Sequence, residues 1–167
     1  IKNGAIVFVH DGSEFAPSYD VSVTDGTSTI GPQSATVTFN IVNDAPILTV
    51  GPLTVTEGGS VVITTNILSA FDPDNSNAQL TFLVNPQFGQ FELLNNPGVS
   101  QPSFTQQQII DGQVLFVHDG SENLPSFSVY VTDGTANSAT QSPYISFVRV
   151  NGAPIVLNAI EDQTATV

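Results

Sequence analysis

"VLFVHDGSE" runs from Val114 to Glu122, and "IVFVHDGSE", almost the same string, runs from Ile6 to Glu14. Laying one over the other gives an offset of 108 residues, and the match continues ungapped from Ile1/Ile109 to Ile47/Ile155 with 25 identities in 47 pairs. Further along the register, "VSVTDGT" (Val21 to Thr27) meets "VYVTDGT" (Val129 to Thr135), and "VNDAPI" (Val42 to Ile47) meets "VNGAPI" (Val150 to Ile155). A period of this length is a whole domain rather than a solenoid turn. The chain is therefore expected to hold the C-terminal half of one repeat at 1–45, a complete repeat at 46–153 and the start of another at 154–167.

Composition narrows the class. Two Lys+Arg against 15 Asp+Glu give a formal charge of -13, which repels phosphate backbones and anionic lipid, so no nucleic-acid partner is expected. The absence of cysteine removes disulfides, thiol chemistry and thiolate-held metals. No apolar run reaches the roughly 18 to 20 residues needed to cross a bilayer as a helix, so no membrane insertion is expected in this segment.

Short runs rich in β-branched and aromatic residues, split by Gly, Pro, Asn and Asp, read as all-β. In the complete repeat the strands fall at Ile47 to Thr56, Val61 to Thr65, Leu80 to Val84, Gly89 to Leu94, Gln113 to Val117, Phe127 to Thr132 and Tyr144 to Val150. Seven strands in one such repeat suggest an immunoglobulin-like Greek-key β-sandwich. "FTQQQI" (Phe104 to Ile109) is compatible with a helical turn. Phe82, Phe91, Phe116, Phe127 and Phe147 are the expected core.

Successive strands run between two ends of a sandwich, which sorts the acids. Asp72, Asp74 and Asn75 of "DPDN" and Asp133 of "TDG" fall at the near end, which meets the preceding domain. Glu57 of "TEGG", Asp119 and Glu122 of "HDGSE" and the linker Asn151 fall at the far end. At the first head-to-tail junction, Asp11, Glu14, Asn43 and Asp44 would face Asp72, Asp74 and Asp133. Six carboxylates in one gap repel strongly, and Lys2 and Arg149 are the only basic side chains besides histidine. A hard cation with an all-oxygen shell resolves this, and flexible coordination by 6 to 8 oxygens favours Ca²⁺ over Mg²⁺, with about three ions for six charges.

The ordered set "TEGG", "FDPDN", "PSFTQQQI", "GQVLFVHDGSE", "FSVYVTDG" and "VNDAP" resembles the chondroitin sulfate proteoglycan (CSPG) repeat, a cadherin-like domain of matrix proteins and large bacterial surface proteins. The resemblance covers the whole 108-residue unit. It implies a cadherin-like sandwich in tandem and interdomain Ca²⁺ that stiffens an extracellular, cell-surface or secreted rod. Glu57 resembles the early glutamate of the wider cadherin pattern, and Asp119 with Glu122 the acidic pair before the sixth strand. Asp72 and Asp74 resemble the paired aspartates of the incoming domain, Asp133 the aspartate of the last loop, and Asn43 with Asp44 the linker pair. Asp25 and Glu161 are the repeat counterparts of Asp133 and Glu57. Gly152 stands where the first linker has Asp44, so the second junction is short of one ligand. The "HDGSE" spacing also departs from the cadherin acidic pair.

Asp20, Glu92, Asp111 and Asp162 lie outside this pattern and read as solvated charges. His10 and His118 each precede an aspartate, but no Ser or Cys nucleophile motif accompanies them. They are read as structural histidines bonding loop carbonyls, and no enzyme is expected. The leading function is a calcium-rigidified spacer in an extracellular adhesin, matrix protein or surface filament. Its partners are neighbouring repeats of the same polypeptide, whose upstream sequence is the simpler source of the half repeat's missing strands, or other copies head to tail through the strand-like tail Ile155 to Val167. The alternative is a glycan- or protein-binding module using Tyr19, Tyr130 or Tyr144.

Overall fold

The structure, a computed structural model, describes Gly4 and residues 6–152. Glu161 and the strand expected at 155–167 lie outside the described residues. The described elements run β1 (Asp20–Thr24), β2 (Thr29–Ser34), β3 (Ile47–Val50), β4 (Leu53–Thr56), β5 (Ser60–Val62), β6 (Leu68–Phe71), β7 (Thr81–Gln87), β8 (Gly89–Leu93), β9 (Ser103–Thr105), α1 (Gln106–Ile110), β10 (Val114–His118), β11 (Ser126–Thr132) and β12 (Ile145–Val148).

Two antiparallel triplets, β5-β10-β8 and β11-β7-β9, form the body of a β-sandwich. The first expected strand is split. β3 pairs antiparallel with β6, and β4 pairs parallel with β12. Gly51 and Pro52 make the break: a Cβ at Gly51 would collide with the Asn66 carbonyl, while the Gly51 N–H donates to Ile67 O at 2.9 Å. A proline has no N–H to continue a ladder. The second expected strand, Val61 to Thr65, is β5, which stops at Val62 shortly before the Thr64–Ile67 turn. β6 and β9 are additions to the expected set. Each is short, and β9 runs directly into α1, whose N-cap Thr105 and Gln108 form a reciprocal capping box.

The core follows from period-two alternation on β10 and β11. Val114, Phe116 and His118 point inward from one strand, and Phe127, Val129 and Val131 from the other. Phe91 on β8 sits at their centre, with ring centroids 4.9 Å from Phe127, 5.2 Å from Phe104 and 5.3 Å from Phe116. Of the five expected core aromatics, Phe82, Phe91, Phe116 and Phe127 are buried and Phe147 packs against the edge of the cluster. Burying each such side chain is worth about 1.5–3 kcal/mol.

Residues 6–45 keep the tertiary relations of their repeat partners without the sheet. Phe8 stacks on Tyr19 at 5.5 Å and His10 lies 4.9 Å from Phe39, matching Phe116–Phe127 at 5.9 Å and His118–Phe147 at 4.8 Å. Three strands are expected there from the repeat register, but only the β1–β2 hairpin is hydrogen-bonded as sheet. Residues 6–10 form no strand, because β10, their counterpart, is held by β5 and β8, and no equivalents of those strands lie among the described residues. The same face is consequently open: Phe8 is 54% exposed against 0% for Phe116, and Val23 66% against 0% for Val131.

Phe91→Ala should therefore cost about 3–5 kcal/mol in denaturant unfolding of the 46–150 unit, while Phe8→Ala should leave that transition where it is. Equal losses would show that the two halves unfold as one packed body.

Candidate metal centre at the first junction

The near end of the sandwich is built by the loop after β6 and the loop after β11. Asp72, only 4% exposed, closes the first loop: its Oδ1 accepts from the N–H groups of Asp74 (2.9 Å) and Asn75 (3.1 Å). Asp133 closes the second, with Oδ1 accepting from the Thr135 and Ala136 N–H groups, both at 2.6 Å. This is ordinary Asx-turn chemistry, in which a short side chain caps the backbone two or three residues on.

The linker threads between these loops. Asn43 Nδ2 donates to Asp133 Oδ2 at 2.9 Å and to the Asp44 carbonyl at 2.7 Å, and the Asp44 N–H donates to Asp74 Oδ2 at 2.7 Å. Glu14, from residues 6–45, reaches the same loop, where its carboxyl and that of Asp74 act on each other. After these bonds four oxygens remain buried with no hydrogen-bond partner: Glu14 Oε2, Asp72 Oδ2, Asp74 Oδ1 and Asn75 Oδ1. Each is an acceptor, and a buried acceptor without a donor costs about 1–3 kcal/mol. The donor set is all oxygen, three carboxylates and an amide, which suits a hard cation. Among the described residues, no three His, Cys, Asp or Glu side chains already converge on one point at ligand spacing.

Protonation follows the same division. The adjoining Asp74 carboxyl, burial and the negative charge of Asp44 push the Glu14 carboxyl above its ordinary value. Asp11, Asp25, Asp119 and Asp133 go the other way, each held below the usual carboxylate range chiefly by a backbone N–H, from Ser13, Ser28, Ser121 and Ala136 respectively.

Of the seven residues expected to meet at this junction, Glu14, Asn43, Asp44, Asp72, Asp74 and Asp133 are brought together. Asp11 is not; it is exposed and bonds the N–H of Ser13 in its own turn at 3.0 Å. Asp25 likewise caps its own turn through Thr27 and Ser28. At the far end, Glu57 Oε2 accepts from the Val150 N–H at 3.0 Å, Asp119 from Ser121 N–H at 2.9 Å, and Glu122 lies 3.9 Å from Arg149. Asn151 is exposed. Asn75 falls at the near end in the sequence without standing among the expected ligands, although its amide supplies the fourth orphaned oxygen.

Two other readings change or hold. Glu92 is buried rather than solvated: its carboxylate accepts from Gln90 Nε2 and the Gly98 N–H, both at 2.7 Å, which pins the loop after β8 and lowers its pKa. His118 occupies an inward position on β10 and is fully committed. Its Nδ1 accepts from the Gly58 and Gly120 N–H groups at 3.2 and 3.1 Å, and its Nε2–H donates to the Asn123 carbonyl at 3.0 Å. His10 repeats this with Gly12 and Phe15. Both are structural histidines bonding loop carbonyls.

Residues 46–150 match the family model described as cadherin-like, and the chain belongs to that family. It is 35% identical over 163 residues to extracellular matrix protein 3 of Lytechinus variegatus, covering 93% of this chain and 5% of that protein. It is 34% identical over 176 residues to human chondroitin sulfate proteoglycan 4, covering 100% of this chain and 7% of the relative, and 30% identical over 140 residues to human FRAS1-related extracellular matrix protein 2, covering 80% and 4%. The resemblance to CSPG repeats is thereby established, and the chain is an extracellular matrix-type structural repeat. No solved structure matches it significantly.

A raised Glu14 pKa means that its protonated form is favoured in the folded state. Its stabilising contribution is present below the ordinary glutamate value and is lost as pH rises through the raised one. Without metal, the junction should loosen on going from acid to neutral pH, and Glu14→Gln should abolish that step. Thermal melts across the carboxylate range in excess chelator check this.

Proposed function

We propose that this chain is a calcium-rigidified spacer of a large extracellular protein, with residues 1–45 the end of one cadherin-like repeat, 46–153 a complete repeat and 154–167 the start of the next. The observation that carries the reading is the set of four buried, unpartnered oxygens contributed from both sides of one junction. Ca²⁺ held by Glu14, Asp72, Asp74 and Asn75, with Asp44 and Asp133 alongside, would neutralise charges that meet no basic side chain among the described residues. It would also tie the preceding half repeat to the loop after β6, turning a hinge into a rigid joint. The far-end residues Glu57, Asp119, Glu122 and Asn151, with Glu161 beyond them, would form the corresponding half-site at the second junction. Neighbouring repeats of the same polypeptide are the partners, and other copies joined head to tail would extend the rod into a fibre. This is a mechanical role rather than an enzymatic one.

A specific feature favours a second reading as a binding module. Tyr144, 77% exposed, lines an open, uncharged and mainly apolar groove of about 460 Å³ with Leu124, Pro125, Pro143 and Ile145, edged by the amides of Asn85 and Gln87. Of the other tyrosines considered for such a role, Tyr130 is half-buried and Tyr19 packs on Phe8.

Extracellular calcium modules bind at about 10⁻⁴ to 10⁻³ M. At ten times the dissociation constant, Ca²⁺ should stabilise the joint by about 1.4 kcal/mol, seen as a raised melting temperature and a more extended, narrower distribution in small-angle scattering. Asp72→Asn combined with Asp74→Asn should remove most of both responses. A melting temperature and scattering profile indifferent to calcium and chelator would rule the spacer mechanism out.

A further inference from the structure

The two linkers are the same position in successive repeats, Asn43–Asp44 and Asn151–Gly152, yet the structure treats them in opposite ways. In the first, the Asn43 amide is committed to Asp133 and the Asp44 carbonyl, and the following N–H is held by Asp74 Oδ2 at 2.7 Å. In the second, the last anchor is the Val150 N–H on Glu57 Oε2. Beyond it, Asn151 and Gly152 are exposed, outside any strand, and make no hydrogen bond to the described residues. A Cβ built at Gly152 meets nothing within 4 Å.

We infer that Asn151–Gly152 is a covalent modification site, at which the linker amide converts spontaneously to aspartate and isoaspartate while Asn43 is protected. The backbone nitrogen of Gly152 attacks Asn151 Cγ. A new bond between that nitrogen and Cγ closes a five-membered imide, the bond from Cγ to Nδ2 breaks, and ammonia leaves with the proton given up by the Gly152 nitrogen. Water then opens the imide at one carbonyl or the other, giving Asp or isoAsp. The step needs a side-chain amide that can swing onto its own backbone, an uncommitted N–H on the next residue, and no side chain on that residue to obstruct ring closure. Among the described residues nothing holds the Asn151 amide or the Gly152 N–H, and glycine adds no Cβ and restricts the backbone least, so Asn151–Gly152 meets all three. The first linker has none of them.

The consequence bears on the array. Conversion places a carboxylate in the one linker that lacks the counterpart of Asp44, and the isoaspartyl form lengthens the backbone there by one carbon. Calcium at the second junction would hold the Asn151 amide, so the conversion is followed in excess chelator, where it is tested separately from the proposed function.

The intact 167-residue protein is held folded at mildly alkaline pH and physiological temperature, then digested and mapped by mass spectrometry, beside the same protein unfolded in urea. Acid and isoaspartyl forms should accumulate at Asn151 within a few-fold of the rate in the unfolded state, while Asn43 stays an amide. Gly152→Ala should slow the conversion by roughly an order of magnitude, because its Cβ restricts the backbone and crowds the ring. Asn151 remaining intact in the folded protein while the unfolded sample reacts would overturn the inference, as would a Gly152→Ala variant that reacts at the original rate.

Discussion

Carboxylates that must share a small space, in a chain with almost no basic side chains, set the terms of this structure. Two like charges 4 Å apart cost about 1 kcal/mol in water and about 4 kcal/mol in the partly shielded surroundings of a protein surface. The fold meets most of this demand with backbone N–H groups. Asp11, Asp25, Asp119 and Asp133 each accept from the turn that follows them, and their lowered pKa values record how well that works. At the first junction the supply of donors ends. Glu14 from residues 6–45 meets Asp72, Asp74 and Asn75 of the loop after β6, and among the described residues four of their oxygens have nothing to accept from.

The sandwich behind them makes this arrangement repeatable. Phe91 and its aromatic neighbours fix the spacing of the two triplets, and the split of the first strand at Gly51 and Pro52 lets one half pair with β6 and the other with β12. The loops after β6 and β11 then emerge at one end with the linker held between them. His118 does the same for the far end, where one inward-facing ring gathers the loops at Gly58, Gly120 and Asn123. The half repeat at 6–45 keeps its histidine and aromatic pairings even where it lacks a sheet, which argues that these local contacts carry much of the loop geometry.

The 108-residue offset makes the fold legible, because a duplicated string fixes a repeat unit without any need to resolve each strand. Alternating burial on β10 and β11 is readable for the same reason: it follows directly from period two. Sequence pattern fails where a strand is short or interrupted, as at β6 and β9, since three or four residues carry too little of it to distinguish a paired segment from a turn. The acids of the junction can be grouped because strand polarity dictates which loops share an end. Asp11 escapes that grouping because nothing in its spacing says whether a turn aspartate aims outward or into the junction. Glu92 reads as solvated because its partners, Gln90 and the Gly98 N–H, are a side chain and a backbone group on a loop that only folding brings beside it.

A crystal structure of the protein grown in calcium tests the central claim most directly. Cation density is expected between the repeats, with Glu14 Oε2, Asp72 Oδ2, Asp74 Oδ1 and Asn75 Oδ1 among its ligands at about 2.3–2.6 Å. Water molecules alone in that gap, with the same four oxygens bonded to them at hydrogen-bond distance, would contradict it.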